Sequence, residues 1–152
     1  MIDILPGDFS DQRVTGLIIH HFTTARAATD ICSAHALDIA GLQTLDITLW
    51  TAWNEDTLMG VGALKQLTTA HGEVKSMHVL EAMRGRGAGS AILRHIIDAA
   101  RARGYARLSL ETGSMEYFAP ARALYRRHGF ADCEPFGEYV PDRNSCFLTI
   151  EL

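Results

Sequence analysis

The chain has 152 residues and a mass of 16.7 kDa, the size of one domain, expected to span residues 1–152. Hydrophobic residues make up 47%, charged residues 21%, and mean hydropathy is +0.02, which excludes wholesale disorder; no apolar run approaches the roughly 20 residues of a membrane helix. Eighteen acids against 14 bases leave a net charge of −4, which argues against a general nucleic-acid binder.

The N-terminus, MIDILPGDFSDQ, carries acids where a signal peptide needs a basic region, so a cytoplasmic location without a membrane partner is expected. Cys32, Cys133 and Cys146 form no CxxC pair and read as small buried thiols. Charge is unevenly spread. Residues 1–72 hold eight acids and three bases, whereas residues 84–107 hold six arginines and one acid, Asp98. A local basic stretch in an acidic protein suggests a small anionic ligand.

Residues 2–5 read as a short strand ended by Pro6-Gly7. Residues 11–25 read as a helix with Val14, Leu17, Ile18 and Phe22 on one face and Ser10 as N-cap. The segment 26–46 reads as a second short helix and a loop. Three strands follow, at 47–53, 57–65 and 73–80, separated by Asn54-Glu55-Asp56 and by His71-Gly72, which suggests a meander. Residues 89–103 form the most regular helix, with Ile92, Leu93, Ile96, Ile97 and Ala100 on one face and Gly104 as its stop. A strand at 106–111, a helix at 119–128 stopped by Gly129, and an alternating strand at 145–152 complete a mixed α/β order.

Arg84-Gly85-Arg86-Gly87-Ala88-Gly89-Ser90 lies between a strand and the regular helix. A helix start offers unpaired N–H groups and partial positive charge, and glycines let the backbone approach a phosphate. The two arginines add cationic forks. A P-loop would need Gly-Lys-Ser/Thr, which is absent. A dinucleotide fingerprint would need a third glycine where Ser90 stands.

Arg84-x-x-Gly87-x-Gly89 resembles the Arg/Gln-x-x-Gly-x-Gly/Ala signature of the GNAT superfamily of N-acetyltransferases. Leu124-Tyr125-Arg126-Arg127-His128-Gly129-Phe130 is similar to the family's second signature, and LETG with FAPARALY resembles a bacterial subgroup of YsnE-type proteins. The resemblance covers nearly the whole chain. It implies a GNAT-type α/β fold, with a mixed and mostly antiparallel central sheet flanked by helices. It also implies transfer of an acetyl group from acetyl-CoA to a primary amine by direct attack in a ternary complex, with no metal. Many members carry an Asn where this chain has Phe118.

On that basis Met77, His78 and Val79 are expected along the pantetheine arm, and Arg84, Gly85, Arg86, Gly87, Ala88, Gly89 and Ser90 around the pyrophosphate. Tyr125 is the expected acid for the departing thiolate, since a phenol is a neutral donor at neutral pH. Glu73 is the expected base, with His78 and Glu111 as further candidates; strand alternation sets His78 on the face opposite Glu73. His35, Trp50, Glu111, Tyr117 and Phe118 are candidates for the acceptor pocket, while His20 and His21 read as solvent or packing residues. Trp50 and Trp53 are expected on opposite faces. The acceptor is expected to be a small-molecule or peptide amine, and a homodimer is common in the resembling family. The competing readings are a non-catalytic acetyl-CoA sensor and a nucleotide-dependent oxidoreductase.

Overall fold

A computed structural model describes residues 1–29 and 35–152. Cys32 therefore lies outside the described residues. The elements follow the order β1 (Asp3–Pro6), α1 (Gln12–Ala27), α2 (Ile39–Leu42), β2 (Ile47–Asn54), β3 (Thr57–Gln66), β4 (His71–Val79), α3 (Ala88–Ala102), β5 (Arg107–Gly113), α4 (Ala119–Arg127), β6 (Ala131–Asp132) and β7 (Ser145–Glu151). Single 3₁₀ turns at Glu81–Met83 and Glu116–Phe118 lead into α3 and α4.

The strands form one seven-stranded sheet in the order β1-β2-β3-β4-β5-β7-β6. Every pairing is antiparallel except β4 with β5. The mixed, mostly antiparallel GNAT-type sheet expected from the sequence is therefore present. Parallel strands need a crossover, and α3 supplies it.

One face of the sheet packs on α3. Ile92, Leu93 and Ile96 are fully buried there among Trp50, Leu64, Val74, Leu108, Leu110 and Leu148. α3 lies so close that a Cβ on Gly62 would come within 2.5 Å of the Ile92 side chain, so this strand position needs a glycine. The other face packs on α1 and α2, with Val14, Leu17, Ile18 and Leu42 against Leu49, Trp53, Val61 and Ala63. Trp50 and Trp53 do fall on opposite faces.

Local chemistry moves several boundaries. The N-cap of α1 is Asp11 rather than Ser10, because Asp8 Oδ1 accepts from both the backbone and the hydroxyl of Ser10 and holds it in the preceding turn. β6 pairs only through Ala131 and Asp132, too short for an alternation signal. Cys133 and Cys146 are free thiols and only half-buried, since both lie near the sheet edge by β6.

Two irregularities in β4 open the molecule and set its side-chain facing. Its pairing with β5 ends at Val74 and Leu110, so Lys75–Val79 and Glu111–Gly113 diverge and leave a cleft. A bulge also interrupts its pairing with β3: Val61 opposes His78 and Ala63 opposes Lys75, which leaves Ser76 and Met77 facing Gly62. The bulge reverses the side-chain alternation. Val74, Met77 and Val79 face α3, whereas Glu73, Lys75 and His78 face α1. The expectation that His78 lies opposite Glu73 is thereby corrected. Among the described residues, no helix is long and apolar enough to cross a membrane.

Candidate active site

The cleft opened by the splayed strands has two joined chambers. The larger, of about 300 Å³, runs along Met77, His78 and Val79 to the start of α3. The smaller, of about 100 Å³, reaches between β4 and β5 and is lined on one side by Tyr139 from the loop before β7. His21, Ala25, Met77, Phe118, Ala121 and Tyr125 line both.

The larger chamber ends in a cradle for an anion. Gly87 caps α3 with φ of 88° and Gly85 has φ of 78°, left-handed values that an L-residue adopts only under strain. The first bond of the helix runs from the Ala91 N–H to the Gly87 carbonyl. The N–H groups of Ala88, Gly89 and Ser90 thus have no carbonyl ahead of them. Among the described residues no side chain caps this helix, so the amides and the positive end of the dipole remain available. A Cβ on Gly85 would meet nothing within 4 Å, which leaves open space over the loop. The residues present therefore fit a pyrophosphate. Arg84 lines this chamber with Gly85, Gly87, Ala88, Gly89 and Ser90; Arg86 is exposed and does not line it. The Ser90 hydroxyl is taken by His128 Nε2 at 3.1 Å, so its N–H is what it offers. The open edge of β4 beyond Lys75 presents unpaired backbone to an extended ligand arm.

The smaller chamber is polar. Glu73, the expected base, is 3% exposed. Its Oε2 accepts from the Lys75 ammonium at 3.2 Å and from the Tyr139 hydroxyl at 2.6 Å. Lys75 also donates to the Tyr139 oxygen at 3.0 Å. Glu111 lies across the chamber and accepts from the Ser145 hydroxyl at 3.1 Å. Burial pushes its carboxyl up to about 7, against the smaller opposing effects of the Ser145 bond and the Lys75 charge. His35 also lines this chamber, edge-on to Tyr139 at 5.0 Å. Burial, then the charge of Lys75, lowers its pKa.

Tyr125 stands at the junction, 6% exposed, on the inward face of α4. Burial, then the charge of Glu111, pushes its phenol up, so it stays protonated at ordinary pH. His21 also reaches the junction, its Nδ1 3.0 Å from His78 Nδ1. Burial holds His21 down to about 4 and His78 down to about 3, with neighbouring histidines adding to both effects, so the pair is neutral. One ring then donates and the other accepts.

The structure therefore brings together Glu73, Glu111, His35 and Phe118 in the small chamber. It does not bring Trp50 there. Trp50 packs edge-on to His95 in the α3-facing core, because alternation along β2 points it away from the cleft. Tyr117 lies on the cradle side only. His21, expected as a solvent or packing residue, lines both chambers because the α1 face that carries it lies over β4. Sequence reasoning missed Tyr139 and Ser76. Nothing local marks Tyr139, which lies 66 residues from Glu73 in sequence. Ser76 sits in a bulge that alternation does not reveal. Among the described residues, no cluster of His, Cys, Asp or Glu suits a metal ion.

Residues 21–130 match the Acetyltransferase (GNAT) family. The chain belongs to the GNAT acetyltransferase family. It is 46% identical over 145 residues to the uncharacterized N-acetyltransferase YsnE of Bacillus subtilis, covering 95% of this chain and 96% of that protein. It is 41% identical over 152 residues to the uncharacterized N-acetyltransferase YedL of Escherichia coli, covering 100% and 96%. A crystal structure described as an acyl-CoA N-acyltransferase from Klebsiella pneumoniae superposes with a TM-score of 0.83 at 25% identity, over 100% of this chain and 98% of the other. The protein is an acyltransferase of this family, whose members use acetyl-CoA or CoA.

Proposed function

We propose that this GNAT acetyltransferase moves the acetyl group of acetyl-CoA onto a primary amine held in the small chamber, by direct attack. The observation that carries the reading is the junction itself. A protonated phenol, Tyr125, stands where an anion cradle meets a small polar cavity containing a carboxyl poised near neutral pH, Glu111.

The pyrophosphate lies on the amides of residues 88–90 with Arg84 beside it, and the pantetheine arm follows the open edge of β4. The thioester then reaches the junction. Glu111 takes a proton from the amine, because a carboxyl near pKa 7 is ionised in part at neutral pH and still basic enough to matter. The amine nitrogen forms its bond to the acetyl carbon and releases its second proton to solvent, the carbon–sulfur bond breaks, and Tyr125 gives its proton to the sulfur and regains one from Glu111. Glu73 is better suited to hold Lys75 and Tyr139 in place, since both occupy the same carboxylate oxygen. Glu73 is already paired with Lys75, so Glu111 is the carboxyl that meets the amine of the acceptor, whether a small molecule or a peptide end.

The test is release of CoA thiol from acetyl-CoA with spermidine, L-lysine, kanamycin and a short peptide, with mass detection of the acetylated product. Wild-type protein acetylates at least one of them. Tyr125→Phe keeps the ring but loses about 10²–10⁴-fold in kcat, the usual worth of general acid catalysis, with the acetyl-CoA KM unchanged. Binding of acetyl-CoA with no product from any amine would instead favour a sensor.

A further inference from the structure

Ser76 is the residue that the fold strains and leaves unsatisfied. It occupies the bulge of β4 with φ of 56°, a left-handed position that such bulges ordinarily give to glycine. A serine there keeps a conformational cost that glycine would not. Its hydroxyl oxygen is buried and has no hydrogen-bond partner among the described residues. Native structures leave few buried polar atoms unpaired, and strain of this kind collects where a ligand binds.

The position of Ser76 narrows the ligand. Ser76 lines the small chamber and not the cradle side. Its partner is therefore the acceptor rather than CoA. The small chamber holds about 100 Å³. On the amine-acetylation reading, the end of the acceptor that meets the thioester is the amine. A serine oxygen has two lone pairs, and a primary amine that turns its own lone pair to the thioester has N–H groups left to place. We propose that Ser76 Oγ accepts a hydrogen bond from the acceptor's amine nitrogen and, with Glu111, orients it for attack. This deepens the amine-acetylation reading and rests on it.

The experiment compares wild type with Ser76→Gly and Ser76→Ala. Both remove the hydroxyl. Both variants also lose a buried hydroxyl that has no partner among the described residues, so both melt above wild type, glycine the more because it releases the left-handed strain as well. Steady-state kinetics use acetyl-CoA with whichever of spermidine, L-lysine, kanamycin or the short peptide the wild type turns over best. In both variants the amine kcat/KM falls about tenfold, the worth of one hydrogen bond to a polarised nitrogen, and the acetyl-CoA KM stays within twofold. An amine kcat/KM within twofold of wild type in either variant overturns the proposal, as does an acetyl-CoA KM that rises alongside the amine KM. Wild-type protein that binds acetyl-CoA but transfers to none of the amines defeats the amine-acetylation reading and takes this proposal with it. Normal wild-type turnover with unaffected variants defeats this proposal alone.

Discussion

Glu111 carries the clearest pH signature of any single side chain in the cleft. Its carboxyl is pushed from the ordinary 4.5 up to about 7, chiefly by burial. A base must be ionised to accept a proton, so kcat/KM for the amine falls as pH drops below about 7. Glu111→Gln removes that acidic limb and lowers the plateau, as a pH–rate profile of the two proteins will show. Stability moves in the other direction. The folded state holds the Glu111 proton more tightly than the unfolded chain, so this group costs nothing below pH 4.5, progressively more up to about 7, and a constant amount above that. Glu111→Gln therefore raises Tm more at pH 8 than at pH 5, measured by thermal melts in both buffers. The type of residue at 111 was legible at the end of a strand. Its shifted pKa was not, because the shift comes from burial and from groups at positions 73, 75, 142 and 145 that the chain brings to it only on folding.

Among the elements, α3 does two jobs. Its apolar face holds the sheet and its N-terminus supplies the cradle. Leu93 is fully buried, so Leu93→Ala leaves a cavity and costs about 2–5 kcal/mol of stability, read by urea unfolding. Arg84, by contrast, is exposed and enters only the cradle. Arg84→Ala raises the acetyl-CoA KM, leaves Tm unchanged, and weakens the dependence of that KM on salt. The two substitutions separate the structural end of the element from the binding end. α3 was also the most legible element, since five apolar positions on one face and Gly104 specify it without help from elsewhere. β4 was legible as a strand but not in its facing. The bulge at Ser76 and Met77 shifts every later side chain to the other face, and it arises from the fit of β4 against β3, not from a residue that advertises it.

For the molecule as a whole, the cleft lies between strands that pair at one end and part at the other. A ligand that fills it binds only the native arrangement, so acetyl-CoA raises Tm in proportion to RT ln(1 + [L]/Kd), whereas NADH does not. A thermal shift with NADH and none with acetyl-CoA would contradict the cradle as a CoA site. The family, the element order apart from the two-residue β6, and the glycine-rich start of α3 could be read from the residues alone. They rest on local patterns: apolar spacing along α3, alternation in the strands, and glycines with arginines at a helix start, all within a few consecutive residues. The contents of the small chamber emerged only once the chain was folded. Folding turned Trp50 into the core and His78 toward α1, buried Glu73 under Lys75 and Tyr139, and set Ser76 unpaired beside the space where Glu111 faces Tyr125. Separation along the chain accounts for the difference. Glu73 and Tyr139 meet across 66 residues and His21 and His78 across 57, and such contacts depend on how strands splay and slip, which no local pattern records.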